Sequence, residues 1–180
     1  SYEDALRNAD SLNDLRLQTS TYGTPIPRLY GTMRVAGTVI WSTDLIETRH
    51  HSGGGKGRPS STTYTYSASF AVALSSRPVG SIGRVWADGN LLRGAAGDFK
   101  SAIGSFRLAG GWEDQPLDPL MGAAGAAGSV PAYRGIAYAL FEDLDLTDFG
   151  NRIPNFTFEV RRTLKKAVDM LVGEQLPRIC

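Results

Sequence analysis

The feature that most constrains this fold is a run of alternating side chains from Tyr64 to Leu74. Its even positions are aromatic or aliphatic, and its odd positions are small or hydroxylic. The even set is Tyr64, Tyr66, Ala68, Phe70, Val72 and Leu74, and the odd set is Thr65, Ser67, Ser69, Ala71 and Ala73. Because successive side chains of a strand point to opposite faces, this period of two predicts a long β-strand with one apolar face.

A partner strand is predicted over residues 33–46, where β-branched and aromatic side chains are concentrated. They are Val35, Val39, Ile40, Trp41 and Ile46. Residues 47–61, which include HHSGGGKGRPSS, contain too much Gly, Ser and charge to bury a core. The sequence therefore predicts a projecting hairpin over residues 33–74 with a flexible tip at residues 47–61.

Four shorter strands are predicted after the hairpin. They cover residues 82–87, 98–108, 133–141 and 153–160, and the dipeptide Asp88-Gly89 after the first of them is typical of a hairpin turn. In the last strand the alternation predicts a buried face formed by Pro154, Phe156, Phe158 and Val160. Residues 109–129 are expected to be a loop, and residues 142–151 an acidic turn.

Helical patterns flank this β-rich region. Residues 2–17 carry a weak one, whereas residues 163–174 have Leu164, Ala167, Val168 and Leu171 at helical spacing. We therefore divide the chain into a lead-in (residues 1–21), a β-rich domain (22–160) and a C-terminal helix and tail (161–180). The predicted fold is mainly β (β-rich α+β): a barrel or sandwich with a long projecting hairpin and one or two flanking helices.

Composition narrows the possible partners. The 180 residues carry a net charge of +1, so the chain has no strong overall field that would hold nucleic acid or an anionic membrane. Its one cysteine, Cys180, cannot form an intrachain disulfide. No apolar run approaches the roughly 20 residues of a membrane-spanning helix, and we predict no membrane span.

The predicted hairpin tip contains four basic or titratable side chains, His50, His51, Lys56 and Arg58. Two adjacent histidines on a loop with no third ligand nearby do not predict a metal site. The segment GGGKGRP lacks the spacing of a phosphate-binding loop and precedes a strand rather than a helix. These residues are expected either to be solvated or to contact a partner's acidic surface or passing nucleic acid.

A second cluster, EDLDLTDFGN, contains Glu142, Asp143, Asp145 and Asp148. Its spacing does not match a calcium-binding EF-hand loop, and Asp and Gly are common in turns. Turn formation is the main interpretation; an interface that uses Asp145 and Asp148, and a cation or catalytic role, are the alternatives. The sequence predicts no catalytic residue, metal or cofactor.

Three ordered segments, at residues 22–48, 64–92 and 131–160, together resemble a family of phage tail proteins. They begin YGTPIPRLYGT, YTYSASFAVAL and PAYRGIAYALF. The family comprises tail-tip or baseplate hub domains of gene transfer agents and long-tailed siphophages, related to the hub region of the phage lambda tail-tip protein. Relatives are much longer, so only the hub role is carried over, without receptor-binding or cell-wall-cleaving regions.

This resemblance implies a tail-tube-like structural protein located at the virion tail tip. The implied partners are further copies in a homotrimeric ring, other tail proteins of the tube and tip, and DNA that passes through the channel without sequence-specific binding. In such a ring, the face with Thr65, Ser67 and Ser69 would line a wet channel, and the hairpin would reach a neighbouring subunit.

Two other functions, an enzyme and a binding module, remain as alternatives to the hub role. A cell-wall hydrolase would use Asp143, Asp145 or Asp148 with Glu142, and it requires two of these carboxylates in one cleft. A carbohydrate- or receptor-binding module would use Trp41, Trp86 and Trp112 as stacking platforms. We expect Trp41 and Trp86 to be buried, which would argue against the second alternative.

Overall fold

Two antiparallel sheets packed face to face make up most of the computed structural model, which describes residue 26 and residues 31–52, 61–125 and 130–162. The strands are β1 (Thr32–Ala36), β2 (Thr38–Ser42), β3 (Ile46–Ser52), β4 (Ser61–Ser75), β5 (Ser81–Ala87), β6 (Asn90–Arg93), β7 (Ser105–Gly110), β8 (Ala137–Asp145) and β9 (Phe156–Arg161). A short helix, α1 (Pro119–Ala124), precedes β8, and a 3-10 turn (Thr147–Phe149) follows it. The prediction of a mainly β fold is confirmed.

The first sheet has the strand order β1-β9-β5-β6, and the second has the order β2-β4-β8-β7 with β3 also paired to β4. β2 pairs with the C-terminal half of β4, and β3 pairs with its N-terminal half. The described strands form two separate sheets rather than a closed barrel, so the architecture is a sandwich. No helix among the described residues is both long and apolar enough to cross a membrane.

Phenylalanines from both sheets fill the core of the sandwich. Phe70 and Phe141 of one sheet stack at 5.0 Å between ring centroids, and Phe141 lies 4.9 Å from Phe156 of the other. The even positions of β4 from Ala68 to Leu74 are buried in this core, as the alternation predicts. The predicted buried face of the last strand is also confirmed, with Phe158 and its even neighbours inside.

A third layer covers the opposite side of the five-stranded sheet, which we call the outer face. There, Met121 of α1 packs on Ala71, Tyr138 and Leu140, and all four residues are buried. The odd positions of β4 were expected to suit a wet channel, and this expectation is wrong for Ser69, which is 3% exposed. Small side chains at these positions leave room for the covering layer.

The predicted first strand over residues 33–46 is divided by the structure between the two sheets. β1 pairs with β9, whereas β2 pairs with β4, and Gly37 links them. A Cβ atom at Gly37 would clash with Val72 and lie 2.7 Å from Phe158 Cε2. The hairpin prediction was therefore wrong about β1, because the chain changes sheets where only glycine fits without displacing core side chains.

Four further boundaries differ from the predictions. Residues 47–52 belong to β3 rather than to a flexible tip, and residues 142–145 belong to β8 rather than to an acidic turn. The predicted loop at 109–129 contains α1, and the weak strand predicted from residue 98 begins at Ser105. In each case long-range strand pairing or capping decides the local structure. The predicted helices at residues 2–17 and 163–174 lie outside the described residues.

Candidate assembly surface

The β3–β4 hairpin extends beyond the sandwich as a two-stranded ribbon. We define the ribbon as Ile46–Ser52 paired with Ser61–Ser67. β8 pairs with β4 only from Ser67 onwards, so along the rest of the described ribbon β3 and β4 pair only with each other. All seven residues of β3 are exposed. Because an isolated two-stranded ribbon is marginally stable in water, this element is suited to being covered by a partner.

One face of the ribbon continues the core face of β4, and we call it the tyrosine face. Tyr64 lies opposite Arg49 in the strand register, with the guanidinium 6.0 Å from the ring centroid. The Tyr66 hydroxyl donates a hydrogen bond of 2.8 Å to Glu47 Oε2. Tyr64 remains 44% exposed. The apolar alternation therefore runs past the end of the core, and its last aromatic side chain faces solvent.

The structure places His50 and His51 in a paired strand, not in a loop. Their side chains point to opposite faces: His50 Nε2 lies 2.8 Å from Thr65 Oγ1, and His51 Nδ1 lies 3.3 Å from Thr62 Oγ1. They therefore cannot share one metal ion. Among the described residues, no group of three His, Cys, Asp or Glu side chains is arranged to hold a metal. Lys56 and Arg58 lie outside the described residues.

A β-bulge in β8 fixes the point where the ribbon leaves the sandwich. Ser69 Oγ donates to Asp143 Oδ1 (3.1 Å), and the Asp143 amide donates back to Ser69 Oγ (3.0 Å). Asp143 has φ = 51°, a left-handed conformation that few non-glycine residues adopt. The Leu146 amide also donates to the Tyr66 carbonyl (2.8 Å). Bulges redirect strands, and this one aligns the ribbon with the body of the domain.

The acidic cluster is spread around this junction rather than gathered in one cleft. Asp145 accepts a hydrogen bond of 2.8 Å from the Thr147 amide and so initiates the 3-10 turn, in which Asp148 is exposed. Glu142 is on the outer face, where the Ser105 hydroxyl and then the Arg107 guanidinium lower the pKa of its carboxyl group. Asp145 and Asp148 thus lie near the root of the ribbon, and the assembly contact predicted for them stays a prediction.

A groove on the outer face was not predicted from the sequence. It is a hollow of about 340 Å³ between β7, β8 and the segment that leads into α1. Its lining includes the apolar side chains of Trp112, Leu117, Tyr138 and Leu140 and the charged side chains of Arg107 and Asp118. Only Trp112 was singled out beforehand. The detectable signal was the mixture of aromatic, apolar and acidic residues in WEDQPLDP, a composition unusual for a solvated loop.

Arg107 connects the wall of the groove to the sheet. Its guanidinium forms a bidentate ion pair with Asp118, at 3.0 and 3.1 Å, and a further one with Glu142. These carboxylates raise the pKa of Arg107 above its usual value, led by the hydrogen bond to Asp118. Asp118 also caps α1 by accepting from the Leu120 amide (2.9 Å). The groove is therefore held open by ionic contacts on one side.

None of the three tryptophans is fully buried, so the expectation for Trp41 and Trp86 was wrong. Trp86 is on the solvent side of the first sheet, beneath the Arg34 guanidinium at 3.8 Å from the ring centroid. Trp41 is partly buried against Ala71, Met121, Tyr138 and Leu140 on the outer face. Trp112 lines the groove. Strand alternation places Trp41 and Trp86 on one face of their strands, and neighbouring side chains cover these two rings only in part.

Comparison with known proteins gives one structural similarity. The chain resembles a chain in a solved structure described as the virion of a native gene transfer agent (GTA) particle, with 36% sequence identity and a TM-score of 0.61. The alignment covers 89% of this chain and 34% of that chain, so this chain spans about a third of that chain's length. No family model matches the sequence, and no curated protein matches it either.

Proposed function

We propose that this chain is a structural virion protein, and more narrowly a tail-tip or baseplate hub subunit. The observation that carries the proposal is its similarity, at 36% identity over 89% of its length, to a chain of a gene transfer agent virion. The hub role is more specific than the virion role that this similarity supports. It rests in addition on the three ordered segments that resemble tail hub domains. The projecting ribbon supports it physically.

The proposed subunit acts as part of a conduit. The sandwich supplies a rigid body, since its aromatic core spans both sheets, and the ribbon supplies a contact that reaches away from that body. Head-to-tail contacts of this kind close into a ring when the rotation between copies permits it, and we propose a homotrimer. The ring would join the tail tube to the tip and surround the passing DNA, which a net charge of +1 would not retain.

We propose that the chain is not an enzyme. A glycoside hydrolase needs one carboxyl group with a raised pKa, whereas the pKa of Glu142 is lowered. Asp143 and Asp145 accept local hydrogen bonds that shape the bulge and the 3-10 turn. The test is a cell-wall degradation assay of the chain with Asp145→Ala and Asp148→Ala. Activity in the parent chain that these substitutions abolish would refute the proposal.

A second candidate is a carbohydrate-binding module of the tail tip. The observation in its favour is that Trp112 lines the groove beside polar side chains, an arrangement that sugar-binding sites use. Titration with soluble cell-wall glycans, followed by tryptophan fluorescence in the parent chain and in Trp112→Phe, separates it from the hub proposal. We expect no saturable change in either protein.

The direct test of the hub proposal is to locate the chain in a particle. Immunogold labelling of an epitope-tagged copy, or a cryo-EM map of the tail, should place it at the tail tip and in contact with tube proteins. The hub proposal would be refuted if label occurred on the capsid or along the whole tube. Absence of the chain from purified particles would refute a virion role altogether.

A further inference from the structure

The solvent-facing side of the first sheet carries a cluster of arginines. The strands β1, β9, β5 and β6 contain four arginines, one glutamate, and no lysine or aspartate. Three of these arginines share the solvent side with the glutamate, on a surface that we call the arginine face: Arg34, Arg84, Trp86, Thr157, Glu159 and Arg161. Arg93 instead lies 5.3 Å from the Phe106 ring centroid and donates to the Gly83 carbonyl. At the borders, the ion pairs of the β5–β6 turn and of the segment after β6 are each neutral. With three arginines and one glutamate, the arginine face has a net charge of +2.

The cations of this face are exposed, whereas its carboxylate is largely covered. The side chains of Arg161 and Arg84 are 63% and 52% exposed, against 17% for Glu159. Arg84 Nε donates to Glu159 Oε2 at 2.7 Å, and Arg161 Nη2 lies 3.7 Å from Glu159 Oε1. The hydrogen bond from Arg84 lowers the pKa of Glu159, so this carboxylate stays ionised and bound. The arginine face therefore presents a positive potential to an approaching partner.

Two of the guanidinium groups are held in place by the face itself. The Arg34 guanidinium lies 3.8 Å from the centroid of the Trp86 ring and donates to Thr157 Oγ1 through Nε and Nη2, at 3.1 and 3.0 Å. The Arg84 guanidinium lies 5.4 Å from the same ring. Because these contacts already restrict the two side chains, less conformational entropy is lost when they bind an anion.

A hollow of about 300 Å³ in this face has room for an anionic group. Its lining includes Ser81, Gly83, Arg84, Glu159 and Arg161. Two guanidinium groups and one carboxylate leave this hollow with a net charge of +1. The paired N–H groups of a guanidinium match two oxygen atoms of a phosphate group. The hollow is therefore suited to a phosphate group.

We infer that the arginine face binds the phosphate backbone of a nucleic acid. At its centre Arg34 lies directly opposite Glu159 in the strand register, next to Thr157. The core of a protein–protein interface is depleted in charged residues, whereas protein–DNA interfaces are more polar and more positively charged. This inference rests on the proposed conduit role and names the wall of the conduit that would face the DNA.

The spacing of the arginines fits a small number of phosphate contacts. Arg34, Arg84 and Arg161 occupy the adjacent strands β1, β5 and β9, which together span about 10 Å. One DNA strand presents a phosphate about every 3.4 Å along the helix axis, so about three phosphates fall within that span. Because each copy makes so few contacts, the wall would guide passing DNA without retaining it.

The salt dependence of DNA binding by the full chain tests the inference. Fluorescence anisotropy of a labelled mixed-sequence DNA gives the association constant over a range of NaCl concentrations. Three contacts predict a slope of log association constant against log salt of about −2.7 for duplex and about −2.1 for single-stranded DNA. Arg161→Gln should change the duplex slope to about −1.8, so that a fourfold rise in salt weakens binding about 12-fold rather than about 40-fold. Arg161→Lys retains the charge and should keep the parental slope.

Two matched controls remove one positive charge elsewhere. Lys100→Gln breaks an exposed ion pair with Asp98, and Arg49→Gln alters the ribbon. Both should keep the parental slope. Arg34→Gln repeats the test on another strand, and thermal unfolding checks that each variant is folded. An unchanged slope in Arg161→Gln and Arg34→Gln overturns the inference, and an equal reduction in Arg49→Gln would assign the contact to the ribbon and overturn it too.

Competition separates nucleic acid from other polyanions. Polyglutamate at equal charge should compete less well than DNA, and vesicles that contain an anionic lipid should not bind in preference to it. Equal competition by polyglutamate would refute the assignment to phosphate, and preferred binding to vesicles would point to a membrane instead. Absence of saturable DNA binding at low salt would also refute it. These failures are distinguishable from failure of the proposed function, because the chain can be located at a tail tip whether or not this face contacts DNA.

Discussion

Replacing Gly37 by alanine is predicted to lower the free energy of unfolding by about 1–2 kcal/mol. The added Cβ would clash with Val72 and lie 2.7 Å from Phe158 Cε2, and both side chains are fully buried. Overpacking a tight core costs about 1–3 kcal/mol. The smaller conformational entropy of the unfolded alanine chain offsets about 0.4–1 kcal/mol of this, because the φ of Gly37 is not left-handed.

A double-mutant cycle isolates the clash. Val72→Ala alone removes two buried methyl groups and should cost about 1.5–3 kcal/mol. It also removes the atom nearest to the new Cβ, so Gly37→Ala should cost less in the Val72→Ala background. We expect a coupling free energy of about 1 kcal/mol in the direction of rescue. Urea unfolding of the four proteins measures it, provided that the m-value is unchanged.

The matched control makes the same chemical change in α1. Gly122→Ala has only the end of the exposed Leu117 side chain within 3.4 Å, at 3.2 Å from Leu117 Cδ2, and that side chain can move. Because alanine favours a helix over glycine by about 1 kcal/mol, this variant should be neutral or more stable. A neutral Gly37→Ala, or strict additivity with Val72→Ala, would refute the argument that the chain changes sheets where only glycine fits.

Three further predictions concern the core and the groove. Phe141→Ala should lower the free energy of unfolding by about 3–5 kcal/mol in urea, because Phe141 contacts phenylalanines of both sheets. Asp118→Ala should cost about 0.5–2 kcal/mol through the lost cap, with faster proteolysis of the groove wall, and Asp118→Asn should retain most of the cap. The pKa of Glu142 is lowered in the folded state, so the stabilisation from its ionised carboxylate is present above about pH 4.5 and is lost as the pH falls further. The free energy of unfolding of Glu142→Gln should therefore depend less on pH in that range, and acid unfolding measures this.

The β-rich class and the buried face of β4 were predictable because period two reports directly which side of a strand a residue occupies. The alternation was correct from Ala68 to Leu74. It could not show where the opposing sheet ends, so Tyr64 was grouped with Phe70 although one is 44% exposed and the other is fully buried. Alternation gives the direction of a side chain; burial depends on partners that are distant in sequence.

The errors about the candidate site have the same origin. Glu142 and Asp143 resemble a turn locally, yet pairing of β8 with β4 and β7 keeps this stretch in the sheet, and a bulge absorbs the left-handed Asp143. The groove was missed because it forms where α1 and its preceding segment cover β7 and β8. The ion pair between Arg107 and Asp118 connects the groove wall to the sheet. It depends on the turn between these two residues and on the position that Asp118 takes as the cap of α1.

One strand therefore serves two environments, and its composition changes accordingly. Inside the sandwich β4 uses Phe70, Val72 and Leu74, whereas in the ribbon it uses threonine, serine and tyrosine. An exposed ribbon of valine or phenylalanine with open edges would pair indiscriminately and aggregate. Hydroxylic side chains at Thr62, Thr63 and Thr65 keep strand propensity while they limit that risk. The ribbon thus carries little apolar surface except Tyr64 and Ile46, and this is the composition expected of an element that remains solvated until a specific partner covers it.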